Sequence, residues 1–186
     1  MNFIRKNLKK IGAFNFGLLF IASILCVINL FNKQEMNILS KACDIFSIIT
    51  VVFAVLYALN GYKKNASLYY RLFMLLYGIT TLVSLIFDIY ATVSYSVGFN
   101  PTNLIRPIIF VCGFMLAAGI NLGRNVSCIL AYAIVICEAV ALIYTLAVYI
   151  GEFSTVSKAI MYFALACITC VFVIAKYDDK ISRGSK

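Results

Sequence analysis

Six long apolar runs, separated by short polar breaks, leave this chain little choice of fold. They fall at about residues 11–31, 38–60, 68–97, 104–122, 126–150 and 156–176. Each exceeds the ~17 residues that a helix needs to cross the hydrocarbon core of a bilayer. Lipid offers backbone polar groups no partners, so such runs must close their hydrogen bonds internally as helices. The in–out alternation of a membrane barrel strand is absent. Six crossings with short loops use up the 186 residues. The expectation is a single all-α domain over residues 1–186, a polytopic membrane protein with six transmembrane helices. At 12% charged residues the chain lies far from soluble domains, where charge is about a quarter.

The first run follows a basic segment, Met1 to Lys10, as in a signal peptide. It is too long for one, and no small-x-small cleavage site follows it. Cys26 is preceded by Leu25, not by the small residue that lipoprotein processing needs. The run is therefore read as the first membrane helix.

The net charge of +9 does not point to nucleic acid, because the basic residues are scattered at the ends of apolar runs. Their distribution is topological. Arg5, Lys6, Lys9, Lys10, Lys63, Lys64, Arg71, Arg124, Lys176, Lys180, Arg183 and Lys186 fall on one side, against Lys33, Lys41, Arg106 and Lys158 on the other. Short loops enriched in Lys and Arg stay in the cytoplasm, so both termini are expected there. The sequons Asn65-Ala66-Ser67 and Asn125-Val126-Ser127 then lie on the cytoplasmic side, unglycosylated. Tyr57, Tyr62, Tyr69 and Tyr70 at one level, with Tyr90, Tyr95 and Tyr149 at the other, fit interfacial aromatic belts.

Within the third span, Tyr77, Thr81, Ser84, Asp88, Ala91 and Tyr95 recur every three or four residues and form one small, polar stripe. After a turn at Asn100 and Pro101, Arg106 returns to about the level of Asp88, which predicts an ion pair or shared polar pocket between two adjacent helices. With a rise of ~1.5 Å per residue, Asp44 lies ~8 Å, Asp88 ~10 Å and Arg106 ~12 Å toward the outside of their spans. Glu138 sits near the middle of the fifth span with no basic residue at its level. A charged side chain at the bilayer centre costs about 2.5–3.5 kcal/mol on insertion scales. Glu138 is therefore expected to be protonated, either as an interhelical hydrogen-bond donor or as a proton-coupling carboxyl. Asp44, nearer an interface, reads foremost as a solvated helix end. The Asp88–Arg106 pair reads either as a packing ion pair or as part of a ligand site.

Similar stripes mark the inward faces elsewhere: Asn15, Ala22, Cys26 and Asn29; Asp44, Ser47, Thr50, Ala54, Ala58 and Gly61; Gly113, Ala117, Asn121 and Arg124; Ala131, Glu138, Ala141 and Thr145. Small residues let helix backbones approach closely. A polar cavity lined by the first five spans and opening outward follows, with Asp44, Asp88, Arg106, Glu138 and Tyr95 as candidate ligand-binding residues.

Enzyme chemistry finds little footing. The chain has no histidine, so His-based triads, His zinc sites and ordinary haem ligation are excluded. Gly-x-Ser-x-Gly and the phosphate-loop pattern are missing. Seven cysteines lie in or beside apolar runs. Cys167-Ile168-Thr169-Cys170 has a redox-like spacing, but no second, loop-borne pair relays electrons, and thiols in an apolar helix ionise poorly. No catalytic residue, metal or cofactor is expected.

In size, six-span layout, cytoplasmic termini and outward polar pocket, the chain resembles the substrate-binding components of energy-coupling-factor vitamin transporters, in architecture only. Their docking motif in the first helix is an alanine repeat at four-residue spacing, from which this chain departs, with only Ala13 and Gly17 faintly resembling it. The resemblance implies a solute-binding or transport-type subunit in the cell membrane, with a small-molecule solute, the lipid bilayer and other membrane subunits as partners. The alternative is a non-catalytic accessory, immunity or assembly protein whose buried charges only specify helix packing.

Overall fold

The computed structural model describes residues 2–31, 38–59, 67–95, 101–118 and 122–183. These form six α-helices: α1 (Asn2–Phe31), α2 (Ile38–Leu59), α3 (Ser67–Tyr95), α4 (Arg106–Ala117), α5 (Arg124–Val148) and α6 (Phe153–Arg183). A short 3-10 helix, Pro101–Ile105, leads into α4. No strand occurs among the described residues. The protein is an all-α polytopic membrane protein. Five of the helices are long and apolar enough to cross a bilayer, and the segment Pro101–Ala117 is a shorter apolar one.

The helices form a closed ring. Each packs on its neighbours in sequence, and α6 returns to α1. A smaller contact between α3 and α6 crosses the middle. Their residue patterns dictate which face turns inward. On α5, Ser127, Ala131, Ile134, Glu138, Ala141 and Thr145 are buried, whereas Ile129, Ile136, Val140 and Ile143 are exposed. The spacing of three or four residues makes these two opposite faces of one helix. An apolar face without protein cover is what lipid solvates. α1 shows the same division, with Asn15, Ala22, Cys26 and Asn29 buried and Phe14, Phe16, Phe20, Ile24 and Val27 exposed.

At the end of the ring that carries the start of α3, the centre is aromatic. Phe172 meets Tyr57 and Phe73 edge-on, at ring-centroid distances of 4.9 and 5.2 Å. Such edge-to-face pairs add to the burial of the rings themselves. α3 and α4 meet closely at two glycines, Gly78 and Gly113. A Cβ added to Gly113 would lie 3.2 Å from the Met74 carbonyl oxygen and 3.6 Å from Gly78 Cα.

The fourth apolar segment departs from the sequence expectation at its start. Its helical part begins at Pro101, ahead of residue 104, and continues to Ala117; residues 119–121, before the expected end at 122, lie outside the described residues. The α-helical part has 12 residues, or about 18 Å at ~1.5 Å per residue, well short of a ~30 Å hydrocarbon core. The 3-10 helix supplies a further ~10 Å at ~2 Å per residue. Pro107 sits in the first turn of α4, where backbone N–H groups have no helical partner and a missing one costs nothing. Thr102 and Asn103 of the 3-10 helix are buried inside the ring. Irregular backbone at membrane depth is tolerated where protein or a cavity surrounds it.

Candidate functional site

The polar groups meet where α3, α4, α5 and α6 converge. Arg106, the first residue of α4, donates from Nη1 to Glu138 Oε1 on α5 at 3.1 Å. The same carboxylate oxygen accepts from Tyr77 Oη of α3 at 3.2 Å. Tyr77 Oη also lies 3.4 Å from the Tyr162 carbonyl oxygen of α6. The guanidinium carbon of Arg106 sits 4.6 Å from the centroid of the Tyr162 ring, within the range of a cation–π contact. Glu138 is only 1% exposed, so this ion pair is shielded from water and from screening by salt.

Of the two arrangements expected for Asp88 and Arg106, they form the shared polar pocket and not the ion pair, which Arg106 makes with Glu138. The expectation that Glu138 has no cation at its level is thereby corrected. The cause is the fourth crossing. Measured over Pro101–Ala117, Arg106 lies three residues from the middle, and Glu138 lies two residues from the middle of Arg124–Val148. At ~1.5 Å per residue they are within a few ångströms of the same depth. The boundary at residue 104 had placed Arg106 too far out.

A further correction concerns Asp44. It is buried, 2% exposed, and is not a solvated helix end. Lys158 Nζ lies 3.8 Å from its Oδ1. Lys158, read as a residue near a loop, belongs to the second turn of α6, which begins at Phe153. Its long stem lets the amine reach across the ring to α2.

Beside these pairs lies a cavity of about 180 Å³. Its walls are Ser84, Phe87 and Asp88 of α3, Thr102 and Asn103 of the 3-10 helix, Arg106 of α4, and Glu138, Ala141 and Thr145 of α5. Cys43 of α2 and Thr155, Lys158, Ala159 and Tyr162 of α6 complete it. These residues come from the starts of α2, α4 and α6 and the later parts of α3 and α5. The cavity therefore lies toward the end of the ring away from both chain termini. Polar residues make up most of its wall, with Phe87, Ala141 and Ala159 as an apolar side.

Two donors in this wall lack a well-formed hydrogen bond: Asn103 Nδ2 and Arg106 Nε. Both residues are buried. A buried donor left unsatisfied costs about 1–3 kcal/mol, so native structures rarely keep one without a use. Asp88, half-buried, receives the side-chain amide of Asn103, which leans an N–H toward the carboxylate without reaching good hydrogen-bond geometry, and it lies in the electrostatic field of Arg106 and Lys158.

Against known protein families, curated protein sequences and solved structures, the chain gives no match. The functional reading therefore rests on the site itself.

Of the five residues proposed from sequence, Asp88, Arg106 and Glu138 line this one cavity. Asp44 stands behind its wall, joined to it through Lys158. The side chain of Tyr95 lies outside the described residues, as do Gly61 and Asn121 of the polar stripes. Sequence reasoning missed Asn103, Lys158 and Tyr162. Asn103 carries a signal, a polar residue just before an apolar run, but it falls between the turn at Asn100 and Pro101 and the run that starts at residue 104. The seven cysteines are free, and no group of metal-binding side chains occurs among the described residues.

Proposed function

We propose that this protein is a solute-binding or transport-type subunit of the cell membrane, with both termini cytoplasmic and the cavity directed outward. One observation carries the reading: a polar cavity within a ring of apolar helices, whose wall presents buried donors without well-formed hydrogen bonds. A helix ring that needed only to pack would gain by filling that space with apolar side chains, since voids and unsatisfied polar atoms both destabilise. The volume of about 180 Å³ is several times the ~30 Å³ that a water occupies in the liquid. It falls below the roughly 300–1,000 Å³ of sites for drug-sized ligands. A small polar solute fits it.

A second reading has its own support. Each cation of the cavity wall faces a carboxylate, Arg106 to Glu138 and Lys158 to Asp44. Buried pairs of this kind serve to fix one packing arrangement, as an accessory or assembly protein would require. The two readings separate in a thermal-stability screen of the full-length protein in detergent against small polar solutes. A ligand that binds only the folded form raises the melting temperature with concentration. The binding reading expects at least one such solute, with its effect lost in Asp88→Asn. If no solute shifts the melting temperature, the packing reading stands.

A further inference from the structure

We propose that the cavity takes a small zwitterion of the amino-acid class, its ammonium group on Asp88 and its carboxylate on Asn103 Nδ2 and Arg106 Nε. The proposal rests on the solute-binding reading above and adds the chemistry of the ligand. Three observations carry it.

The first is charge balance. Arg106 is paired with Glu138, and Lys158 with Asp44. Asp88 is the carboxylate of the cavity wall left without an ion-pair partner among the described residues. An ammonium group supplies the missing charge.

The second is donor balance. Arg106 Nε presents an N–H without an acceptor, and the amide of Asn103, 2% exposed, carries two N–H groups, one of which leans toward Asp88 while the other has no acceptor. A carboxylate has two oxygens with several lone-pair positions, so it satisfies both donors at once. Hydrogen bonds from a guanidinium to a carboxylate are also among the strongest available. A ligand with an ammonium group alone would leave both donors empty.

The third is spacing. Asn103 interacts with Asp88 and lies three residues before Arg106, the last two residues of the 3-10 helix, Leu104 and Ile105, intervening. An α-amino acid carries its two charged groups on one carbon, so a single small molecule spans neighbouring acceptor and donors. Phe87, Ala141 and Ala159 form the remaining wall, which leaves a short apolar or hydroxylated side chain a suitable surface.

The test uses the full-length wild-type protein in detergent or nanodiscs, with L-alanine, glycine and L-serine as probes. Isopropylamine and propionate carry one charged group each and serve as comparisons. Binding is read by the shift in melting temperature and by displacement of radiolabelled L-alanine. The expected result is a saturable shift with at least one of the three amino acids, and at least tenfold weaker binding of both single-charge analogues. Asp88→Asn and Asn103→Ala should each remove the shift. The wild-type comparison of the three ligand types does not depend on any variant folding.

Equal or tighter binding of isopropylamine, or of propionate, overturns the zwitterion. So does a different polar solute that binds, loses its effect in Asp88→Asn, and displaces nothing amino-acid-like; the solute-binding reading then survives alone. If no polar solute of any class binds, both fall together.

Discussion

Arg106 of α4 and Glu138 of α5 form a buried ion pair at 3.1 Å, and Tyr77 of α3 donates to the same carboxylate oxygen. Three helices thus share one oxygen atom. Removing one partner of a buried pair leaves the other charge uncompensated, at a cost of about 3–5 kcal/mol. Glu138→Gln is therefore expected to be strongly destabilising. Replacing both partners with apolar residues, Arg106→Met with Glu138→Leu, should recover most of that loss, because it removes both desolvated charges together. A double-mutant cycle read by denaturant unfolding in detergent checks this. Additive single and double losses would show that the two side chains are not coupled.

Tyr77 gives a milder case. Tyr77→Phe keeps the ring, which lies parallel to Phe73 at 6.2 Å between centroids, but removes the hydroxyl that reaches Glu138 and the Tyr162 carbonyl. A hydrogen bond to a charged group contributes about 1.5–3 kcal/mol, and the 3.2 Å separation places this one toward the lower end. Thermal unfolding of the variant should show a clear drop that is smaller than that of Glu138→Gln. Stability equal to wild type would mean that Arg106 alone holds the carboxylate.

The inward faces were legible because burial follows helical periodicity. Asp44, Ser47, Thr50, Ala54 and Ala58 of α2 recur at three or four residues, and all are buried. Pairings were not legible, for a geometric reason. The rise of a helix fixes depth only once its ends are known, and the fourth crossing begins with a 3-10 helix that the apolar run does not announce. An error of a few residues in that boundary moved Arg106 by several ångströms, enough to assign it to Asp88 in place of Glu138. Lys158 was obscured differently. Its position near a helix start resembles a loop cation, and only the packing of α6 shows that its amine reaches Asp44.

Gly113 tests the closeness of α3 and α4. A Cβ there would press on the Met74 carbonyl oxygen at 3.2 Å, while at Gly17 it would meet nothing within 4 Å. Gly113→Leu is expected to destabilise by about 1–3 kcal/mol, typical of forcing bulk into a packed interface. Gly17→Ala should be neutral or stabilising by up to about 1 kcal/mol, since alanine is the better helix former. Unfolding in detergent compares the two. A tolerated leucine at Gly113 would require the helices to sit further apart than described.

The orientation expected from charge can be tested independently of the site. With six crossings, twelve Lys and Arg residues would fall on the side of the termini against four on the other, so fusions after Lys186 should report the cytoplasm and fusions after Asn100 the exterior. The sequons at Asn65 and Asn125 should stay unmodified in a glycosylating host. Neutralising Arg5, Lys6, Lys9 and Lys10 still leaves eight against four. Because bias is summed over the short loops and the first helix usually weighs most, the expected effect is a mixed population in which the original orientation still dominates. Complete inversion would mean that the N-terminal charges alone set the topology, and a fully unaffected protein that the later loops do.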